Sequence, residues 1–412
     1  MAARTRCSIL ATVLIVSAGA AQSDVRLVLS VSAPESDGHN VPLHATVSLP
    51  QSLANELDEY IAVTLQEEGV PGSGVPGQIV RKDGAAELWW IAPQLKAGRA
   101  GNWVATLRVT DARVRPCFIS RERAEQYLDL CWDNRPVLRY MYACDASSQE
   151  RLHQTYKPYY HVFDAAGEKL LTKGPGGLYT HHRGIFIGWN KLKHGGEEYD
   201  FWHMKDVTQQ HQRTLYLNAG PVLARLKSLI HWNDPAGKPV IAEEREASVF
   251  RQAAPTILLL EFRATLKAVA GDVFLDGDPE HAGVQYRAHN DVAAADQALK
   301  ASYLFHEDGI DPHQDKDLPW VAMSYGLNGR RYVVQHMNHP ENPKPSIYSA
   351  YRDYGRFGVF FKHRIDAGQS LSLRYRIWVV EGEPPARQEM AARHTAFTSP
   401  PKVEVLNVAQ TP

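Results

Sequence analysis

Apolar and polar residues alternate with period two along most of this chain. Between residues 24 and 115, "LHATVSL", "YIAVTLQE", "AELWWIAP" and "NWVATLRV" alternate or run apolar, separated by Gly/Pro/Ser turns such as "VPGSGVPG". They predict a small β-sandwich. "SRERAEQYLDL", Ser120 to Leu130, breaks the rhythm: Ser120 can cap a helix and glutamates enrich its first turns, so 116–134 is expected to be a helical linker.

From 135 to 383 strand patterns return, among them "RPVLRYMYA", "GIFIGWN", "TILLLEFRATLKAV", "GVQYRAH" and "RRYVVQHM". In "LSLRYRIWVV", Leu371, Leu373, Tyr375, Ile377 and Val379 alternate with Ser372, Arg374 and Arg376. Many successive strands without a βαβ rhythm predict two large antiparallel sheets packed face to face. Within 384–412, "ARQEMAARH" reads as a short helix and the tail after Thr398 as loose. The fold class expected is all-β: a small N-terminal β-sandwich followed by a large antiparallel β-supersandwich.

Charge narrows the partners. A formal net charge of -1 gives no broad attraction for nucleic acid or anionic membranes. Met1–Arg6 carries Arg4 and Arg6, Ile9–Val16 is apolar, and Ala18-Gly19-Ala20 is a small-x-small pattern. Residues 1–21 therefore read as a secretory signal peptide cut near Ala20 or Ala21, with a periplasmic or secreted product. No later stretch has the length of a membrane span. An oxidising compartment allows one disulfide among Cys117, Cys131 and Cys144; Cys131 with Cys144 is favoured, with the other pairings left open.

Candidate chemistry collects in five places. In "YTHHRGIFIGWN", Tyr179 to Asn190, His182, Gly184, Phe186 and Gly188 share one strand face, and the glycines are expected to leave room for a ligand. His181 and Arg183 flank this face. In "YDFWHMKD", Trp202 and His203 beside Asp200 suit stacking and hydrogen bonding to a sugar. In "EEREASV", Glu244 and Glu246 share a face and could divide acid and base roles. In "GDPEHAGVQYRAH", His281, Gln285, Arg287 and His289 line one face, while Ala282, Val284, Tyr286 and Ala288 form a core face. Arg287 offers a planar fork to an anion. In "QHMNHPENP", His336 and His339 stand near Asn338 and Asn342 and could bind a metal if the proline-rich turn brings them together. Each cluster taken singly also reads as an ordinary packed or solvated strand edge.

Four of these ordered segments, "GLYTHHRGIFIGWN", "GDPEHAGVQYRAH", "HMNHPENP" and "LRYRIWVVEG", resemble a family of exported bacterial proteins called PmoA-like, over roughly 135–381. That label borrows the name of a subunit of a membrane-bound methane monooxygenase. The chain shows no membrane span after residue 21, so that activity is not expected. The resemblance implies a galactose-mutarotase-type supersandwich, a carbohydrate setting, and functional positions at His181, His182, Arg183, Trp189, Asp278, Arg287, His339, Pro340 and Asn342. The chain departs from the family pattern at Glu280-His281-Ala282, where Lys-Glu-Gly is commoner, and at Asn338, where Asp is commoner.

The leading expectation is an exported carbohydrate-active enzyme doing acid/base chemistry on a glycoside or sugar: hydrolysis, elimination or epimerisation. His182 or His339 would donate the proton and Glu244 or Glu246 would be the base. His181, Arg183, Trp189, Trp202, His203, His281, Gln285, Arg287, His289 and Asn342 would bind substrate. No cofactor is expected. Two alternatives stand beside this: a non-catalytic glycan-binding protein, and a divalent-metal-dependent lyase or oxidoreductase using His181, His182, His336 and His339.

Overall fold

The computed structural model describes residues 24–72, 74–82 and 84–410. The proposed signal peptide and Cys7 lie outside them. The chain is all-β, as the alternation predicts, and is built from two large sheets, one smaller N-terminal sheet and a four-stranded flap.

The N-terminal sheet has seven strands in the spatial order Gly38–Val47, Ala85–Leu95, Val75–Lys82, Ile61–Glu67, Gly101–Val109, Val25–Val31 and Val403–Gln410. It curls around one core containing Leu29, Leu43, Leu65, Leu88 and the Trp90–Trp103 pair, whose rings are 6.0 Å apart. The last strand corrects the expectation of a loose tail. Val403 pairs with Val31 and Gln410 with Val25, so the C-terminal segment completes the first domain. Prolines 400 and 401 mask an alternating Val403-x-Val405 pattern that suits an edge strand.

The expected helical linker is also corrected. Phe118–Arg123 and Tyr127–Trp132 form a hairpin, with Glu125 at φ 59 in its turn. Phe118, Leu128 and Leu130 enter the main core, while the charges that suggested a helix lie on the exposed turn. Burial of the strand residues overrides local helix preference.

This hairpin is the edge of the first large sheet, of eight strands: Ser346–Tyr348, Arg356–Phe361, Ala282–Arg287, Ile185–Trp189, Tyr159–Val162, Arg135–Met141, Tyr127–Trp132 and Phe118–Arg123. The second also has eight: Thr208–Ala219, Leu223–Asn233, Pro239–Phe250, Thr256–Ala268, Ser370–Glu381, Arg330–Asn338, Trp320–Leu327 and Ser302–Phe305. Their facing sides share one apolar core. Ile185, Ile187, Val284 and Tyr286 enter it from the first sheet, and Leu373, Tyr375, Ile377 and Val379 from the second, as period two requires.

The two outer faces differ. Trp89 of the N-terminal sheet and Met390 and Phe397 of the helix Arg387–Thr398 pack on the second sheet, against Phe250, Trp320 and Trp378. The outer face of the first sheet is crossed instead by the chain's own loops. Cys117, Cys131 and Cys144 are all free, so the favoured disulfide is not formed; Cys144 accepts a hydrogen bond from Gln210 at 3.3 Å. Among the described residues no helix is long and apolar enough to cross a membrane.

Candidate functional site: a four-histidine cluster

The site is assembled on the strand Ile185–Trp189. Phe186 points outward, where it packs with Tyr159 and Trp202. Gly188 is glycine because a loop lies directly on it: a Cβ there would stand 2.4 Å from the carbonyl oxygen of Phe201. At Gly184 a Cβ would stand 2.1 Å from the Tyr160 carbonyl. The space that these glycines were expected to leave for a ligand is therefore filled by backbone. The consequence is positional. Phe201 rests on the strand, and Trp202 is pressed into a pocket of rings, 4.8 Å from Phe186 and 5.8 Å from His182.

Two short turns of the same design bring two more histidines. In Asp200-Phe-Trp-His203 one carboxylate oxygen accepts the amides of Trp202 and His203 at 3.1 and 2.8 Å, and the other meets His203 Nδ1 at 2.9 Å. In Asp278-Pro-Glu-His281 one carboxylate oxygen accepts the Glu280 amide at 3.0 Å and meets His281 Nδ1 at 2.8 Å, while Asn190 donates to the other at 3.1 Å. Burial pushes both carboxyls up, but the hydrogen bonds and charge of the paired histidines outweigh it, holding Asp278 at about 2 and Asp200 below its usual value.

The four imidazoles then meet. Ring centroids lie 4.5 Å apart for His181 and His182, 4.4 Å for His181 and His203, and 5.2 Å for His203 and His281. His203 and His281 are half-buried at the rim and His182 is buried at the floor. Tyr179 and Tyr354, 5.0 Å apart, cover His182. Tyr179 stands at φ 54 and Met204 at φ 63, left-handed conformations that side chains seldom adopt, in the two loops that frame the cluster. Burial, followed by the charges of Lys157, His203, His281 and Arg183, presses His181 down to about 2. Burial and then His181, Arg356, Arg287 and Lys157 drive His182 well below the usual histidine value. Both are neutral at physiological pH. His181 Nε2, His182 Nδ1 and Trp202 Nε1 are buried without a hydrogen-bond partner among the described residues.

Beneath the rings lies a concentration of basic groups. Lys157, Lys173, Arg183, Arg287 and Arg356 are all buried. Lys157 donates to the Trp202 carbonyl at 2.8 Å, and Arg183 to the carbonyls of Thr180, His182 and His153 at 2.6, 2.9 and 2.6 Å. Lys173 donates to the carbonyls of Gly174, at 3.0 Å, and Gly176. Arg287 donates through Nη1 to the carbonyls of Ala288, at 2.8 Å, and Tyr354. Burial, then Arg183 and Arg287, lowers Lys173 to about 7.

Sequence reading placed His181, His182, Arg183, Trp202, His203, His281, Gln285 and Arg287 at a shared site, and the structure brings these together. Gln285 is tied into the sheet, donating to the Ala282 carbonyl at 2.9 Å and accepting from Arg356 at 3.3 Å. His289 sits at the start of the short helix Asn290–Ala294 and accepts the Asp291 amide at 3.3 Å.

Other expected residues go elsewhere. Trp189 is core, its Nε1 donating to the Phe361 carbonyl at 3.1 Å, so it has no free face for a sugar. Glu244 and Glu246 lie on the second sheet; Glu244 pairs with Lys227, and Glu246 lies 3.7 Å from Arg225. His339 packs against Phe397 at 5.2 Å, and Asn342 clamps the loop to Arg374, donating to its carbonyl at 2.7 Å and accepting its amide at 2.9 Å. His336 is in the inter-sheet core against Tyr348, Phe357 and Tyr375. Strand alternation sends His336 and His339 into these separate surroundings, so they do not form the pair envisaged for a metal. No group of three or more His, Cys, Asp or Glu residues among those described is arranged to hold a metal ion.

Several site members were missed. The repeated Asp-x-x-His spacing was visible in "DFWH" and "DPEH". The "YRDYGR" segment supplies Tyr354 and Arg356, and also Tyr351 and Arg352, which hold Glu280 at 3.1 and 2.5 Å. Lys157 and Lys173 gave no local signal. Two cavities, of about 410 and 540 Å³, lie away from the cluster: one between the N-terminal sheet and the C-terminal helix, the other beside Leu217 and Pro221.

A profile for a family of unknown function, DUF6807, matches residues 127–395, well over half of the chain. The chain belongs to the DUF6807 family. The DUF6807 segment contains the entire histidine cluster and leaves out the N-terminal strands. No curated protein matches the sequence. Among solved structures, a mutant of the heparan sulfate lyase HepC from Pedobacter heparinus is similar at 11% identity and a TM-score of 0.32, covering 67% of this chain and 38% of that one. This chain thus spans under two-fifths of the length of that relative, and no functional conclusion follows from so low a score.

Proposed function

We propose that this DUF6807 member is an exported carbohydrate-active enzyme whose acid/base chemistry runs in the four-histidine cluster. The observation that carries the reading is the pair of Asp–His turns facing each other across 5.2 Å. A carboxylate on Nδ1 orients an imidazole and leaves Nε2 to take or give a proton. Two such groups side by side supply the acid and the base that hydrolysis, elimination and epimerisation all require. In this reading the acid, expected at His182 or His339, and the base, expected at Glu244 or Glu246, are instead Asp200–His203 and Asp278–His281. His181 and His182, kept neutral, offer hydrogen bonds to hydroxyls, and Tyr179 and Tyr354 offer rings at the rim. The PmoA-like resemblance, with its galactose-mutarotase-type fold and carbohydrate setting, supports a sugar as the substrate.

A screen for reducing ends and unsaturated products over a glycan panel tests this. Wild type should release product, and Asp278→Asn and His281→Gln should each lose about 10²–10⁴-fold in rate. Glycan binding without product from any variant, or full activity in His281→Gln, contradicts it; the first result leaves a glycan-binding protein.

A further inference from the structure

The guanidinium of Arg287 has two edges, and only one is used. Nη1 donates to the carbonyls of Ala288 and Tyr354. Nε and Nη2, which together present two parallel N–H bonds, are buried and have no hydrogen-bond partner among the described residues. That edge is the one that grips a carboxylate side-on. The same protein shows the match repeatedly. Arg139 holds Asp129 through Nε and Nη2 at 2.7 and 2.9 Å, Arg245 holds Glu243 at 2.6 and 2.8 Å, and Arg108 holds Asp24 at 2.7 and 2.6 Å.

The position of Arg287 is equally specific. Its guanidinium carbon lies 5.0 Å from the centre of the Tyr354 ring, and that ring stacks on His182 at 6.2 Å. Lys157, Lys173, Arg183 and Arg356 surround the same floor, and none of the five basic groups forms an ion pair with a carboxylate of the described residues. The carboxylates at the rim are engaged: Asp200 and Asp278 with their histidines, Glu280 with Arg352 and Tyr351. Arginine charge without a counterion beneath a polar cluster is suited to a ligand that brings its own negative charge.

We infer that the ligand of the histidine cluster carries a carboxylate, as a uronic acid does, and that the Nε/Nη2 edge of Arg287 binds it. This rests on the reading that the cluster is where a sugar is handled. A carboxylate so placed would lie next to His182 and within the field of Lys173 and Arg183, so acidic sugars would be selected over neutral ones. Tyr179, half exposed, is the part of the cover that must turn aside to admit it.

Calorimetric titration at constant ionic strength tests the inference, with glucuronate and galacturonate against glucose and galactose, and with acetate and a sulfated monosaccharide as further arms. Wild type should bind at least one uronate about tenfold or more tighter than its neutral parent. Arg287→Lys, which keeps the charge and loses the fork, should remove most of that preference while retaining its circular-dichroism spectrum. The wild-type comparison stands even if the variant fails to fold. Equal binding of neutral and acidic sugars overturns the carboxylate and leaves the sugar reading intact. Acetate binding that depends on Arg287, with no sugar bound, upholds the carboxylate and overturns the sugar. Preference for the sulfated sugar over both uronates, or no binding in any arm, overturns the inference.

Discussion

Arg245 and Arg287 are both fully buried on strands of the large sheets, yet the fold surrounds them in opposite ways. Arg245, in the inter-sheet core, has Glu243 on its Nε/Nη2 edge, and Glu243 also accepts from Trp232 Nε1 at 2.8 Å. Burial works against its charge, but Glu243 outweighs burial and raises it. Arg287, on the outer face of the first sheet, has two carbonyls and the Tyr354 ring but no carboxylate among the described residues; burial dominates and lowers it to about 10. A charge buried to hold the fold receives its counterion from the chain. Among the described residues none is placed beside Arg287.

The sharpest way to break this contrast is to remove the counterion of Arg245 and the unpaired arginine itself. Glu243→Gln strands the Arg245 charge and should cost about 3–5 kcal/mol in urea unfolding. Arg287→Met deletes a charge that no described carboxylate neutralises and should fall within about 1 kcal/mol of wild type. Equal losses for the two would remove the distinction.

A smaller effect is expected from the glycine that positions Trp202. Gly188→Ala forces its new methyl against the Phe201 carbonyl and should cost about 1–3 kcal/mol. The loss should be accompanied by a change in near-ultraviolet dichroism as Trp202 shifts. An unchanged spectrum and stability would show that the loop does not depend on this close approach.

Acid works on both regions in the same direction. His336 in the core and His161 under the first sheet are buried and lowered to about 3, chiefly by burial. An unfolded histidine titrates near 6.5, so their contribution is full above about 6.5 and is lost as pH falls toward 3. The loss approaches about 1.4 kcal/mol per pH unit for each group within that window. His336→Gln should flatten the fall in melting temperature between pH 6 and 4. An unaltered slope would mean that His336 is not held neutral.

The architecture was legible because strand alternation reports which residues face a core. The faces of Ala282–Arg287 and Ser370–Glu381 follow from spacing alone. The Ser120–Leu130 hairpin was misread because local capping and charge favour a helix, whereas Phe118 and Leu130 are fixed by burial against residues far away in sequence. The site was half legible for the same reason. His181, His182, His203 and His281 stand out as residue types, but what pairs them is the approach of a loop to Gly188, a tertiary event. Glu244 and Glu246 satisfied a chemical pattern, and the sheet order put them on the other layer. Lys157 and Lys173 look like ordinary lysines until the loops bury them.

Nitrogen-detected NMR of the histidine side chains during titration with a sugar that binds tests the central claim most directly. The imidazole signals of His181, His182, His203 and His281 should move together, while those of His336 and His339 stay in place. Movement confined to His339, or spread evenly over histidines on both sheets, would contradict the assignment of the functional site to this cluster.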